Sequence, residues 1–195
     1  VQTTVVLRQD SPEAAALLVE GWTVEARSFG ALLEADHVDR ARLRALAVAG
    51  PSDVTIRELC PDDVDDVLAL DSMTAADYPG SVATRHEPFD RSSATPWPTR
   101  RAWGARTSTE RLVALTFVDL GERVAETDVT VVHPDHRGRG LAAAVKSASV
   151  LALLDAGVVR FRTGGSADNP AIIAANATLG YVVDETWLTL VAPTP

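Results

Sequence analysis

The sequence predicts an α/β fold, and three observations carry the prediction. Two apolar runs of period two, Leu112 to Val118 and Val124 to Val132, read as neighbouring strands joined through Leu120-Gly121-Glu122. The second run halts at Pro134 and passes through Gly138 and Gly140 into an alanine-rich stretch, which reads as strand, turn, helix. The order strand, helix, turn, strand occurs twice, once near each end of the chain. A length of 195 residues with 46% hydrophobic side chains is enough for one substantial core.

Taken in order, Val5 to Arg8 is a strand, Ser11 to Glu20 a helix, Gly21-Trp22 a turn and Thr23 to Leu33 a strand. Val38 to Ala49 has helical spacing, and Gly50-Pro51 punctuates the chain there, which divides it into residues 1–50 and 51–195. Val54 to Leu59 opens the second unit as a strand, and Pro61 to Asp71 follows as a helix. Pro61 and the acids Asp62, Asp63, Asp65 and Asp66 sit where a helix N-terminus favours negative charge. They lack the glycine and terminal glutamate of a calcium loop, and no metal site is expected. Tyr78 to Ser108, rich in Pro, Ser, Thr and Arg, reads as a long loop. Val158 to Arg162, Asn169 to Leu179, Gly180-Tyr181 and Val182 to Val191 then repeat the strand, helix, turn, strand order of the first 33 residues.

The glycine turn at residues 137–142 carries the chemistry. Glycines at a helix entry let backbone N–H groups converge on an anion with the positive end of the helix dipole behind them. Arg137 and Arg139 add mobile cations suited to a pyrophosphate. A nucleotide-hydrolysing loop needs Lys then Ser or Thr directly after its last glycine. Here Leu141 and Ala142 follow, and the only lysine, Lys146, comes later. A dinucleotide fold fits the spacing of Gly138, Gly140 and Ala143, with Arg162 as a candidate NADP reader. Against it, five residues separate strand from glycine, and too little chain remains for a doubly wound sheet. Glycine pairs between a strand and a helix are, on their own, usually turn chemistry.

The third ligand is acyl-coenzyme A. Arg137-x-x-Gly140-x-Ala142 resembles the Arg/Gln-x-x-Gly-x-Gly/Ala signature of the GNAT N-acetyltransferase superfamily, and Val131-x-x-Pro134 is similar too. Thr163, Asn169, Ile172, Asn176 and Leu179-Gly180-Tyr181 resemble its second block, with Ile and Tyr in place of Met and Phe. The resemblance implies a mixed, mostly antiparallel twisted sheet flanked by helices, with a parallel strand pair that splays at the cofactor site. It also implies that acetyl-CoA is held by Val131, Val132, His133, Arg137, Gly138, Arg139, Gly140, Leu141, Ala142 and Asn169. The acetyl group would pass directly to the primary amine of a small molecule. The first 50 residues resemble the tail of another such unit without its own glycine loop, a remnant of a tandem protein; a homodimer is one way for it to pack on a catalytic sheet.

Direct transfer needs a group to take the amine's proton and another to serve the leaving thiolate. Glu126, Asp128 and Thr130 fall on one face of their strand by alternation, and Glu126 is the first choice as base, with Asp128 second. Many relatives place a tyrosine four residues before the glycine of the Leu-Gly-aromatic turn. This chain has Asn176 there, which can donate a hydrogen bond but cannot supply a proton. A non-catalytic acyl-CoA-binding module is therefore the alternative reading. In the loop, Tyr78, Arg85, His86, Phe89, Trp97 and Trp103 are too many large side chains for an idle linker and read as substrate-facing, with Tyr78, Trp97 and Trp103 as the expected binding residues and anchoring to the core as the competing role. His133 and His136 read as partly exposed turn residues.

A formal charge of −9 argues against nucleic-acid binding and favours approach of cationic amines. A single cysteine, Cys60, suits a reducing compartment. With no export signal or membrane-spanning apolar stretch in the sequence, the expected location is the cytoplasm.

Overall fold

Helix starts follow the capping residues in the sequence. Ser11 Oγ accepts the Ala14 N–H at 3.1 Å and opens α1 (Pro12–Val19). Asp39 accepts from Arg42 at 2.9 Å at the head of α2 (Arg40–Val48), and Asn169 accepts from Ile172 at 3.2 Å at the head of α5 (Pro170–Leu179). Each such bond satisfies an amide that the helix itself leaves unpaired. Two helices begin differently: α3 (Val64–Thr74) continues a 3-10 turn at Pro61–Asp63, and α4 (Leu141–Asp155) starts from Gly140 with no side-chain cap. The computed structural model describes residues 3–74 and 82–193, so Tyr78 lies outside the described residues.

Eight strands form one sheet: β1 (Thr4–Arg8), β2 (Thr23–Glu34), β3 (Val54–Glu58), β4 (Arg100–Thr107), β5 (Leu112–Leu120), β6 (Val124–Val132), β7 (Arg160–Ser166) and β8 (Val182–Val191). Their spatial order is β1-β8-β2-β7-β6-β5-β4-β3, and every neighbouring pair is antiparallel except β6 and β7. One strand departs from the sequence expectation. The stretch read as loop up to Ser108 contains β4, which pairs with both β3 and β5. Its pattern was hidden because two buried positions are arginines: Arg100 is bonded to Asp119 and Asp128, and Arg106 to Asp63 and Asp66. Arginine enters a core only when paired this way.

Helices cover both faces. On one, Val67 and Leu70 of α3 pack with Leu115, Phe117, Val129 and Val131. On the other, Leu141 and Val145 of α4 meet Ala105 and Val113, while Val150 and Leu153 meet Trp103, Ala125 and Phe161. The register of β6 against β5 slips between Phe117, opposite Val129, and Val118, opposite Thr127, which leaves Asp128 as the extra residue of a β-bulge. The bulge corrects the simple alternation. Glu126 and Asp128 face the α3 side, but Thr130 is turned to the α4 side, where it meets Thr116 Oγ1 at 2.8 Å.

The first 34 residues are woven into the sheet. β2 lies between β7 and β8, and β1 pairs with the outer edge of β8. Exchanging β1-α1-β2 with β7-α5-β8 reproduces the same strand order, so the two units interleave with approximate two-fold symmetry. The sheet therefore runs continuously across the Gly50-Pro51 turn.

Candidate active site

The parallel pair β6 and β7 is hydrogen-bonded only from Val124 to Glu126 against Arg160 to Arg162. Beyond that point both strands continue, to Val132 and Ser166, paired with β5 and β2 but not with each other. The result is a fork whose inner edges carry free backbone groups. A cleft of about 630 Å³ opens over it, lined by Glu126, Thr127, Asp128, Lys146, Thr163 and Asn169 among others. A second cavity of about 690 Å³ runs from the glycine turn along α4 and α5. The two share Thr130, Asn169 and Ile172, so they adjoin across these residues.

The glycine turn has the geometry of an anion cradle. Gly138 and Gly140 hold φ of +70° and +78°, a region that costs a side chain but not glycine. Since Gly140 brings no capping side chain, the first-turn amides of α4 have no side-chain acceptor. Arg137 is held by a 3.2 Å bond from its Nε to the Val132 carbonyl. These features fit a pyrophosphate, and the unpaired edge of β6 fits an extended amide chain.

Of the residues expected to hold the cofactor, Val131, Val132, Arg137, Gly138, Gly140, Leu141, Ala142 and Asn169 line the second cavity. Two do not. The His133 ring is buried, with Nε2 2.6 Å from Arg111 Nη2 and Nδ1 accepting the Asp135 N–H, and burial together with Arg111 lowers its pKa. Its role is to fix the turn after β6. Arg139 reaches across to His136 Nδ1 at 3.2 Å and lies 4.0 Å from Asp53.

The proposed bases separate clearly. Glu126 is exposed in the cleft and has no hydrogen-bond or ion-pair partner among the described residues. Asp128 accepts a 2.6 Å bond from Arg100 Nη2, whose guanidinium is buried and stacks 4.8 Å from the Phe117 ring. Asn176 is buried, and its Oδ1 accepts from Lys146 Nζ at 2.7 Å. Lys146 itself was not singled out as a site residue. A lysine among alanines on a helix gives no signal of burial, yet only 1% of its surface is exposed.

The expected acceptor residues fare unevenly. Trp103 is buried in the core under Arg101, which excludes it from the cleft. Trp97 is partly exposed, bonds its indole N–H to Thr99 and stacks beside Arg100 without lining the cleft. The same loop does line the cleft with Arg85 and His86, and with Thr84 beside them. It is anchored by Asp71, whose carboxylate meets His86 Nε2 at 2.6 Å and the Phe89 N–H at 2.9 Å. The opposite wall comes from Ser28, Phe29 and Gly30 of β2 and Glu185 and Trp187 of β8, which the sequence did not reveal because it depends on strand insertion.

No family model matches the chain. Among curated proteins it is similar to the mycothiol acetyltransferase of Streptomyces coelicolor, 28% identical over 141 residues that make up 71% of this chain and 46% of that protein. The chain thus spans about half the length of this relative. Among solved structures it is similar to a tandem GNAT protein from the clavulanic acid biosynthesis pathway, at 23% identity and TM-score 0.69 over 100% of this chain and 65% of that one. A GCN5-related N-acetyltransferase from Kribbella flavida matches at 21% identity and TM-score 0.67, over 98% of this chain and 68% of that one. One from Sphaerobacter thermophilus matches at 16% and 0.72, over 100% and 62%. At these identities the solved structures speak for the fold. By these likenesses the chain has the fold of the GNAT N-acetyltransferases.

Proposed function

We propose that the chain is an N-acyltransferase that moves the acetyl group of acetyl-CoA to the primary amine of a small molecule. The observation that carries this reading is the adjacency of the two cavities: an anion cradle at one end, a strand fork in the middle and a cleft with the unpaired Glu126 carboxylate at the other. Acetyl-CoA supplies the activated acyl group. The first-turn amides of α4 and Arg137 hold its pyrophosphate, and the free edge of β6 pairs with its amide arm. Glu126, the unpaired carboxylate in the cleft, takes the proton that the attacking amine must lose, directly or through one water. The Streptomyces relative is named for an acetyl transfer, which supports acetyl as the group moved.

Further parts of the reading follow. Residues 1–50 are read as the tail of a tandem unit that supplies one wall of the acceptor cleft. The acidic surface does not suit nucleic acid, and the lone Cys60 suits the cytoplasm. A homodimer is compatible with an outer β1 edge.

Calorimetric titration with acetyl-CoA and with NADPH tests the proposal. Acetyl-CoA alone binds, binding is lost in Arg137→Ala with Gly140→Asp, and thiol release then appears with a small amine. Binding of NADPH alone, or of neither, overturns it. Binding without thiol release across an amine panel would favour the acyl-CoA-binding module.

A further inference from the structure

The chain's one lysine sits at the apex of the fork. Its Nζ donates to Thr163 Oγ1 at 2.9 Å and to Asn176 Oδ1 at 2.7 Å. Thr163 is the first residue of β7 past the last pair with β6, and Thr127, its counterpart on β6, bonds the buried Tyr181 hydroxyl. The Tyr181 ring lies 5.2 Å from Nζ. Two of the three ammonium hydrogens are therefore used, and no third acceptor exists among the described residues. Asn176 repeats the pattern, since its buried Nδ2 has no acceptor either. Two neighbouring buried groups, Lys146 with one ammonium hydrogen left over and Asn176 with an unpartnered amide nitrogen, mark a place where a further acceptor is received.

Resting on the acetyl-transfer reading, we propose that Lys146 is the proton donor to the leaving thiolate, with Asn176 holding its amine in place from behind. In the step, the amine nitrogen forms a bond to the thioester carbonyl carbon, and the carbon–sulfur bond breaks with its electron pair on sulfur. One proton leaves the amine for Glu126 or water, one moves from Nζ to sulfur, and solvent returns a proton to Nζ after the thiol departs. Burial supports this chemistry, because it lowers the Lys146 pKa to about 7, below the ~8.5 of an ordinary thiol, so that the proton moves downhill. Of the titratable neighbours, Tyr181 is held neutral by a pKa that burial pushes up. Glu126, Asp128 and Arg162 line the cleft but none contacts Nζ.

A single lysine makes the test direct. Protein grown with isotope-labelled lysine gives one side-chain ammonium signal, followed by NMR against pH in the free protein, with CoA and with desulfo-CoA. The expected midpoint is near 7 and moves with CoA but not with desulfo-CoA. In steady state, Lys146→Met lowers kcat about 100-fold with little change in KM for acetyl-CoA and abolishes the fall of kcat at alkaline pH. A midpoint near the ordinary lysine value, equal response to both ligands, or an alkaline limb retained in the variant overturns the proposal. If Lys146→Met does not fold, the titration of the unmutated protein decides alone. Absence of acetyl-CoA binding by the unmutated protein would instead defeat the reading on which the proposal rests.

Discussion

Arg100 Nη2 lies 2.6 Å from Asp128, and the same guanidinium bonds Asp119 through Nη1 at 2.8 Å. Asp128 occupies the bulge of β6, so this bond fixes the strand where it bends away from β5. A carboxylate committed to a buried guanidinium is held by that bond and is not free to meet a ligand. The two acids of β6 thus have different surroundings, Asp128 tied into the bulge and Glu126 unpaired in the cleft.

That division predicts unequal kinetics. Glu126→Gln is expected to lower kcat/KM roughly 10²-fold or more, the range of a lost general base. Asp128→Asn keeps the size of the side chain and most of its hydrogen bonding, so it lowers kcat/KM less than about tenfold but reduces thermal stability. Comparable losses of kcat/KM in both variants would contradict it.

Much of this arrangement was legible in the sequence. The glycine turn, both blocks and the strand-helix-strand order at each end stand where the sequence places them, because caps, glycines and period-two runs are local signals. What escaped was long-range. Arg100 and Arg106 made β4 look like loop, because the carboxylates that let them be buried lie 19 to 43 residues away. Lys146 looked like a surface residue until α5 and β7 closed over it. Trp103 promised a substrate wall and became core for the same reason.

The position of β2 predicts a steric limit in β7. A Cβ added at Gly164 would stand 2.8 Å from the Phe29 carbonyl oxygen, a backbone atom that cannot swing aside. Gly164→Ala is expected to cost about 1–3 kcal/mol in chemical unfolding, the usual penalty of overpacking. By contrast, Gly140→Ala meets nothing within 4 Å. Its positive φ alone should cost about 1 kcal/mol, and acetyl-CoA affinity should fall as the cradle distorts.

Asp63 predicts acid sensitivity. Its carboxylate accepts from Arg57 Nη2 at 2.6 Å, Arg106 Nη2 at 2.5 Å and the Cys60 N–H at 2.8 Å, and the Arg57 bond above all holds its pKa well below the ordinary aspartate range. The stability this provides is complete above the unfolded-state pKa and is lost as pH falls through that value toward the folded one. Asp63→Asn should therefore cost about 1–3 kcal/mol at pH 7, less than a fully buried pair because Arg57 is half exposed. The gap between variant and parent should narrow below about pH 4. A gap constant down to pH 3 would show that packing, not charge, is responsible.

Lys146 gives the opposite slope at the other end of the scale. Its pKa is lowered by burial to about 7, so between that value and its unfolded-state pKa near 10.5 the unfolded chain binds the extra proton. Folding stability must then rise with pH across this window and flatten above it. Replacing the amine with a methionine side chain of similar length removes the dependence, and near neutral pH the variant should be at least as stable as the parent, since it buries no ionisable group. Parallel denaturant titrations at pH 7 and pH 9.5 measure it: the parent should gain stability between them and Lys146→Met should not. A Lys146→Met variant that is more stable yet slower would be the direct expression of stability exchanged for chemistry at the apex of the fork.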